Sequence, residues 1–307
     1  MARHGISRQG RAGQGETGWR ITGVTTVLSI QSSVVFGHVG NAAAVFPLQR
    51  LGVEVLALHT VQFSNHPGYG HWTGQVFPGA LVRELVDGVA ARGMLGQCDA
   101  VLSGYMGDAD TCDAILGAVG RVRAANTAAL YCCDPVIGDT GPGVYVRAGL
   151  PELIAKQAVP AADLLTPNGF ELGFLAGSPV RTVEEAARAA RLVRARMSGS
   201  GPRVVLVTSL GEGTDVVDML AVSETGTARL RTPRLPQHFS GAGDVTAALF
   251  LAAFLNERDA TAALAFAGNA VHAVLVRTAA AGARELCLVA AQDAIACPPT
   301  RFLPEYL

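Results

Sequence analysis

The sequence predicts an α/β fold, an αβα sandwich with a mainly parallel central sheet. Three observations lead there: short β-rich runs alternate with longer Ala/Leu/Arg segments, the strand candidates are almost continuously apolar, and polar residues gather where those strands end. Strand candidates span residues 25–30, 53–59, 100–103, 129–133, 163–165 and 204–208, with helical patterns between them over 41–51, 80–91, 112–126, 150–158 and 183–197. Beyond 208 the pattern changes. Residues 216–222 and 227–231 read as a β-hairpin, followed by two long apolar helices over 243–255 and 261–277. Ser32, Asp134, Thr166 and Thr208 each follow a strand, and open α/β sheets bind ligands beyond the carboxyl ends of their strands, so these four are expected to face one crevice. Residues 62–75 hold Phe63, His66, Tyr69, His71 and Trp72 without clean periodicity; they read as a loop, either a cover for a flat ring or a surface loop packed on its own aromatics.

With 307 residues, half of them hydrophobic and 16% charged, the chain is globular and long enough for a substantial core. A formal net charge of −1 gives no electrostatic footing for nucleic acid or an anionic membrane. The longest apolar run, 245–255, is too short to cross a bilayer. Residues 1–22 carry Arg3, Arg8, Arg11 and Arg20 among glycines without an apolar stretch, unlike a secretory signal. They are expected to be a disordered tail, or to follow a start codon set too far upstream, ahead of a single domain over 23–307. Of the six cysteines, Cys132 and Cys133 are adjacent within an apolar strand and none forms a C-x-x-C pair, so buried thiols in a reducing cytoplasm are expected.

Several chemistries drop out. The only lysine, Lys156, has no glycine-rich loop before it, which excludes a P-loop. Residues 13–18 match G-x-G-x-x-G but precede the first strand instead of following one, so the match is accidental. The histidines show no H-x-x-x-H or H-E-x-x-H spacing for zinc, and no G-x-S-x-G elbow serves a serine nucleophile.

What remains is centred on Gly241-Ala242-Gly243-Asp244, a glycine turn opening the apolar run at 245. Unpaired N–H groups and the helix dipole both favour an anion there, and a carboxylate beside them is placed to accept a proton, which together suit phosphoryl transfer to an alcohol. Helix punctuation accounts for the same residues, since acidic side chains are favoured in any first turn. Asp134 and Asp139 flank a tight Pro135/Gly138 loop after a buried strand; they suit a hydrated magnesium ion, or Asp134 simply caps a turn. Asn168 with Glu171 three residues on is a capping box that also brings an amide and a carboxylate to the crevice mouth.

The runs from Ser29 to Asn41, Val61 to His66, Leu102 to Tyr105, Cys133 to Asp139, Thr166 to Glu171 and Gly241 to Asp244 occur in the order seen in pyridoxal kinases. The chain therefore resembles that family, within the ribokinase-like superfamily, over about residues 25–300; the first two runs are particular to pyridoxal kinases. The resemblance implies a ribokinase-like sandwich, a homodimer, and ATP-dependent phosphorylation of the 5′-hydroxyl of pyridoxal, pyridoxine or pyridoxamine. It implies Asp244 as the base, with the amides of Gly241, Ala242 and Gly243 as anion hole. Ser32 would bond the pyridine ring, Val39 and Tyr105 would contact it, and Tyr145 would come from a closing loop. Asp134, Asp139, Thr166, Asn168 and Glu171 match positions that handle Mg2+, a monovalent cation (K+ or Na+) and the ATP phosphates, the metal falling to Asp134, Asp139 and Glu171. Thr208 falls at an ATP contact, and Thr232 to Leu235 on the adenine side.

The chain departs from the family twice. Ala242 stands where the turn usually has threonine, which leaves the backbone amides and alters phosphate or cation contacts; Pro67 stands where many members have a ring-contacting threonine. The nearest rival is a hydroxymethylpyrimidine kinase or another ribokinase-like small-molecule kinase, although hydroxymethylpyrimidine kinases generally carry cysteine at the position of Asp244. A noncatalytic carrier of pyridoxal phosphate is a rival of another class, and retention of Asp244, Asn168 and Glu171 argues against it.

Overall fold

The computed structural model describes residues 25–198, 201–211 and 214–307. The tail expected over 1–22 lies outside the described residues.

Apolar runs become strands wherever helices cover both faces of a sheet. The strands are β1 (Thr25–Phe36), β2 (Val53–Asn65), β3 (Gly74–Val76), β4 (Ala100–Ser103), β5 (Leu130–Cys133), β6 (Gly138–Asp139), β7 (Gly143–Val144), β8 (Leu164–Leu165), β9 (Val204–Leu210), β10 (Val216–Val222), β11 (Thr227–Pro233) and β12 (Glu305–Tyr306). Ten form one sheet in the order β12-β11-β10-β9-β8-β5-β4-β1-β2-β3, and β6 pairs only with β7. Pairing is parallel from β9 across to β2, and antiparallel at both flanks. From β1 the chain steps outward to β2 on one side and later to β4 on the other, so the strand order reverses at β1. A crevice opens at such a reversal because the two following connections leave in opposite directions.

The longer helices are α1 (Asn41–Arg50), α2 (Gly79–Ala91) and α3 (Ala109–Ala125), then the short α4 (Leu150–Leu153) and α5 (Val159–Ala161) joined through a π-helical turn at Ile154–Ala158. After them come α6 (Gly169–Ala176), α7 (Val183–Ala195), α8 (Ala242–Glu257), α9 (Ala260–Ala280) and α10 (Gln292–Ala296). One core unites α1, α8 and α9 with one face of the sheet, and a second unites α2, α3, α6 and α7 with the other. Helix α8 buries every residue from Val245 to Phe254, which is why its sequence is apolar on all sides. Helix α9 has the length and hydropathy of a membrane span, yet 56% of its apolar window is buried, against α8, β10 and β11.

Two expectations need correction. Strand β1 continues past Ile30 to Phe36 through a register shift between Gln31 and Ser33, so Ser32 sits in a bulge within the strand instead of just after it. Residues 62–75 are not one loop. Strand β2 runs on to Asn65, a 3-10 turn covers Pro67–Tyr69, and β3 returns antiparallel with Val61 opposite Val76. The pattern hid this hairpin because Val35 and Phe36, on the neighbouring extension of β1, are exposed apolar residues where alternation would place polar ones.

Candidate active site

The crevice is built from three turns that touch. Gly241 caps α8 with φ +83°, and a Cβ there would overlap the His38 carbonyl. Gly40, at φ +55°, packs against the carbonyl and hydroxyl oxygens of Ser32, leaving no room for a side chain. The backbone of Gly40 in turn hydrogen-bonds the Asp244 carboxylate. Ser32, the 37–40 turn and the start of α8 therefore form one unit, so the bulge of β1 and the carboxylate of Asp244 hold a fixed relation. Burial raises the Asp244 carboxyl to about 6, with the Gly40 backbone and its own amide pulling the other way. Gly243 is exposed with open space above its Cα, so the first turn of α8 presents backbone to solvent at the mouth.

On the other side of β1 lie the carboxylates. Asp134 follows β5 and is 7% exposed; Thr166, following β8, donates its hydroxyl to Asp134 Oδ1 at 3.1 Å. Burial, then the charges of Glu171 and Asp244, hold the Asp134 carboxyl well above its ordinary range. Asn168 and Glu171 form the expected capping box of α6: Glu171 N–H donates to Asn168 Oδ1 at 2.8 Å and Asn168 N–H to Glu171 Oε2 at 2.9 Å. The Ile137 amide donates to Glu171 Oε1 at 3.0 Å, and Asn168 Nδ2 donates to the Gly138 carbonyl at 2.8 Å. Burial lifts Glu171 to about 8 despite those amides.

These bonds bear on the metal expectation. Among the described residues, no three His, Cys, Asp or Glu side chains converge as a metal cluster. Both Glu171 oxygens are committed to backbone amides, and Asp139 accepts from the Thr140 amide at 2.7 Å and faces His238 at 3.8 Å. Asp134 keeps one oxygen beyond its bond from Thr166, in a setting where burial and neighbouring carboxylates disfavour its charge.

The vitamer-side expectations fall unevenly. Val39 is buried with Val34, Val61 and Phe63, and Tyr105 packs on the same cluster, giving an apolar platform beside Ser32. Tyr145 is half-exposed just past β7; desolvation of its phenol, then the charges of Glu171, Asp134, Asp139 and Asp244, push it up. Thr208 ends the inner part of β9, its amide donating to the Pro167 carbonyl at 3.0 Å. Thr232 is buried in β11 opposite Val217, and Leu235 packs half-buried on the α8–α9 core, both toward the β11 flank. Pro67 does not join the platform: it is exposed and opens the 3-10 turn, where its fixed φ and missing N–H cost nothing.

Around Pro67 the structure supplies what the sequence did not. A cavity of about 390 Å³ is lined by His66, Tyr69, His238, Ser240, Arg284 and Glu285 together with Gly68. His66 and Tyr69 lay in the aromatic-rich segment flagged above; Arg284 and Glu285 carried no signal, since they arrive from more than two hundred residues away. A second cavity, at the opposite rim of the sheet, surrounds the Arg123–Asp163 ion pair and is remote from this chemistry.

In a chain without a P-loop, the amide-lined start of α8 can receive an anionic phosphate, and the apolar Val39–Tyr105 side can admit an alcohol. That division between a phosphate end and an alcohol end defines an ATP-dependent small-molecule kinase of ribokinase-like architecture. A family model described as phosphomethylpyrimidine kinase matches residues 73–287. Pyridoxal kinase PdxY of Rubrobacter xylanophilus is 54% identical over 286 residues, covering 91% of this chain and 97% of that protein; its counterpart in Deinococcus radiodurans is 53% identical over 284 residues, covering 91% and 95%. The solved pyridoxal kinase of Leishmania donovani in complex with ADP and pyridoxamine aligns at TM-score 0.85 and 29% identity, over 92% of this chain and 99% of that one. The chain belongs to the pyridoxal kinase family.

Proposed function

We propose that the chain transfers the γ-phosphoryl group of ATP to the 5′-hydroxyl of pyridoxal, and of pyridoxine or pyridoxamine, and that Asp244 is the base. One observation carries the residue assignment: Asp244 stands in the first turn of α8, tied through Gly40 to Ser32, so a ring anchored at Ser32 puts its hydroxymethyl arm near the carboxylate. Asp244 takes the hydroxyl proton as the oxygen–phosphorus bond forms; the bond from the γ-phosphorus to the bridging oxygen breaks, and ADP leaves with that electron pair. The amides of Gly241, Ala242 and Gly243 receive charge on the transferring group. The platform of Val39 and Tyr105 supports the ring face, and Tyr145 covers the mouth. Asn168, Thr166 and Thr208 border the nucleotide, with Thr232 and Leu235 farther toward the adenine.

The donor set fits a hydrated magnesium ion arriving with ATP. Asp134 would hold it, Asp139 and Glu171 acting only through water, because a hard cation of this size keeps several waters and favours carboxylate oxygen. Bound there it would neutralise phosphate charge. Potassium or sodium as a further activator, a homodimer, a single kinase unit over 23–307 and a cytoplasmic setting belong to the same reading.

The test is direct. Purified protein with ATP and magnesium is given each B6 vitamer, and separately hydroxymethylpyrimidine; phosphorylated pyridoxal should form, and its rate of formation should fall steeply with Asp244→Ala. A preference for hydroxymethylpyrimidine would replace this reading with its rival.

A further inference from the structure

The side chain of Glu285 joins two parts of the crevice that sequence separates widely. Its Oε2 accepts the His38 amide at 2.9 Å, and the carboxylate fills the space that a Cβ on Gly37, itself at φ +99°, would need. Its Oε1 accepts the Tyr69 hydroxyl at 2.5 Å. The adjacent Arg284 lays its guanidinium 3.8 Å from the centre of the Tyr69 ring and reaches the Gly68 carbonyl at 3.4 Å, while Phe36 meets that ring edge-on at 5.8 Å. Leu286 and Leu288, almost fully buried, anchor the segment that carries both charged residues. The bond to Glu285 also holds the Tyr69 phenol protonated above its usual range.

His38 is the residue whose carbonyl abuts Gly241, and Tyr69 belongs to the turn over the cavity that includes Ser240. One carboxylate therefore ties the turn that roofs the cavity to the 37–40 turn, whose Gly40 backbone bonds Asp244. We infer that Glu285 is a positioning residue for the vitamer, setting through Tyr69 and His38 the height of the 66–69 turn above the α8 glycine turn. The inference rests on the kinase reading. Neither oxygen of Glu285 is free for the substrate, so it acts through its partners; the nucleotide side, at Asp134 and Thr166, is not touched by it.

A charge-assisted bond to a buried amide and another to a phenol are lost in Glu285→Ala, and the vitamer KM should rise by about tenfold or more while the ATP KM stays within about twofold. Glu285→Gln should restore the vitamer KM to within about threefold, because its oxygen still accepts from His38 and its amide nitrogen donates to the Tyr69 oxygen. Tyr69→Phe, which removes only the roof bond, should raise the vitamer KM by less than Glu285→Ala does, and the double variant should be no worse than Glu285→Ala alone, since Glu285→Ala already removes the bond that Tyr69→Phe removes. A rise in ATP KM in step with that of the vitamer, a glutamine variant as damaged as alanine, or multiplicative effects in the double variant would each overturn the inference. Wild-type turnover on the vitamers is measured first and tests the kinase reading itself; the variant-to-wild-type ratios test this one. If Glu285→Ala does not fold, Tyr69→Phe and Glu285→Gln carry the comparison.

Discussion

The His38 carbonyl and Gly241 are packed so closely that the glycine turn at the head of α8 tolerates no side chain at its first position. Gly241 also lies in the left-handed region, at φ +83°. A Gly241→Ala variant must therefore bear both a backbone penalty of about 1–2 kcal/mol and a displacement of the 37–40 turn. That turn contacts Ser32 and Asp244, so activity should fall further than stability: kcat/KM by about a hundredfold or more, for a loss of only a few degrees in Tm. Thermal unfolding beside steady-state kinetics checks this. Near-normal kcat/KM would mean that the contact is dispensable.

Removing the proposed base makes a sharper demand. Asp244→Ala should lower kcat by about 10²–10⁴ with the ATP KM little changed, the usual span for a lost general base. The pH profile tests the same group from another direction. Burial raises the Asp244 carboxyl to about 6, and a base works only when deprotonated, so kcat/KM for the vitamer should climb with pH through about 6 and level off above. A profile already flat at pH 5 would place the titrating base elsewhere.

Much of this arrangement was legible in the chain, for identifiable reasons. Ten consecutive buried residues after Gly241-Ala242-Gly243-Asp244 mark α8 because no surface helix is apolar on every side. The capping box of Asn168 and Glu171 is a local signal, complete within four residues, and the structure forms both of its bonds. Other features were only partly legible. Asp134, Asp139 and Glu171 read as a metal set; one Glu171 oxygen takes the Asn168 amide, as the capping box foretells, while the other takes the Ile137 amide, which no local pattern announces. The hairpin at 62–75 was lost because the bulge at Ser32 and the exposed Val35 and Phe36 break strand alternation. Glu285 was invisible for a simpler reason: its partners Tyr69 and His38 lie 216 and 247 residues away.

The buried carboxylates predict an unusual response of stability to pH. Glu171 is raised to about 8 and Asp134 is also raised, so the folded protein binds protons more tightly than the unfolded chain does. Where the native state holds the extra protons, stability falls as pH rises, here across the interval from the ordinary carboxylate range up to about 8. A bound magnesium–ATP complex that favours the ionised cluster gains over the same interval. The apoprotein's Tm should drop between pH 6 and pH 8, and magnesium with ATP should raise Tm more at pH 8 than at pH 6. Equal increments at the two pH values would show that the cluster does not change protonation on loading.

Substitutions at Asn168 separate its part in the fold from its proposed part at the nucleotide. Its Oδ1 caps α6 by accepting the Glu171 amide, and its Nδ2 donates to the Gly138 carbonyl, so one side chain fastens α6 to the β6–β7 hairpin. Asn168→Ala loses both bonds, and a lost N-cap with one further hydrogen bond amounts to about 1–2 kcal/mol, or roughly 3–6 °C in Tm for a domain of this size. Asn168→Asp keeps the capping acceptor but cannot donate to Gly138, and it adds a negative charge beside Glu171 and Asp139. Its Tm should therefore lie between those of wild type and Asn168→Ala, while its ATP KM should exceed that of either, because the triphosphate now meets an additional carboxylate at the mouth. Were Asn168 only a cap, the aspartate variant would bind ATP as well as wild type, since aspartate caps helices as effectively as asparagine.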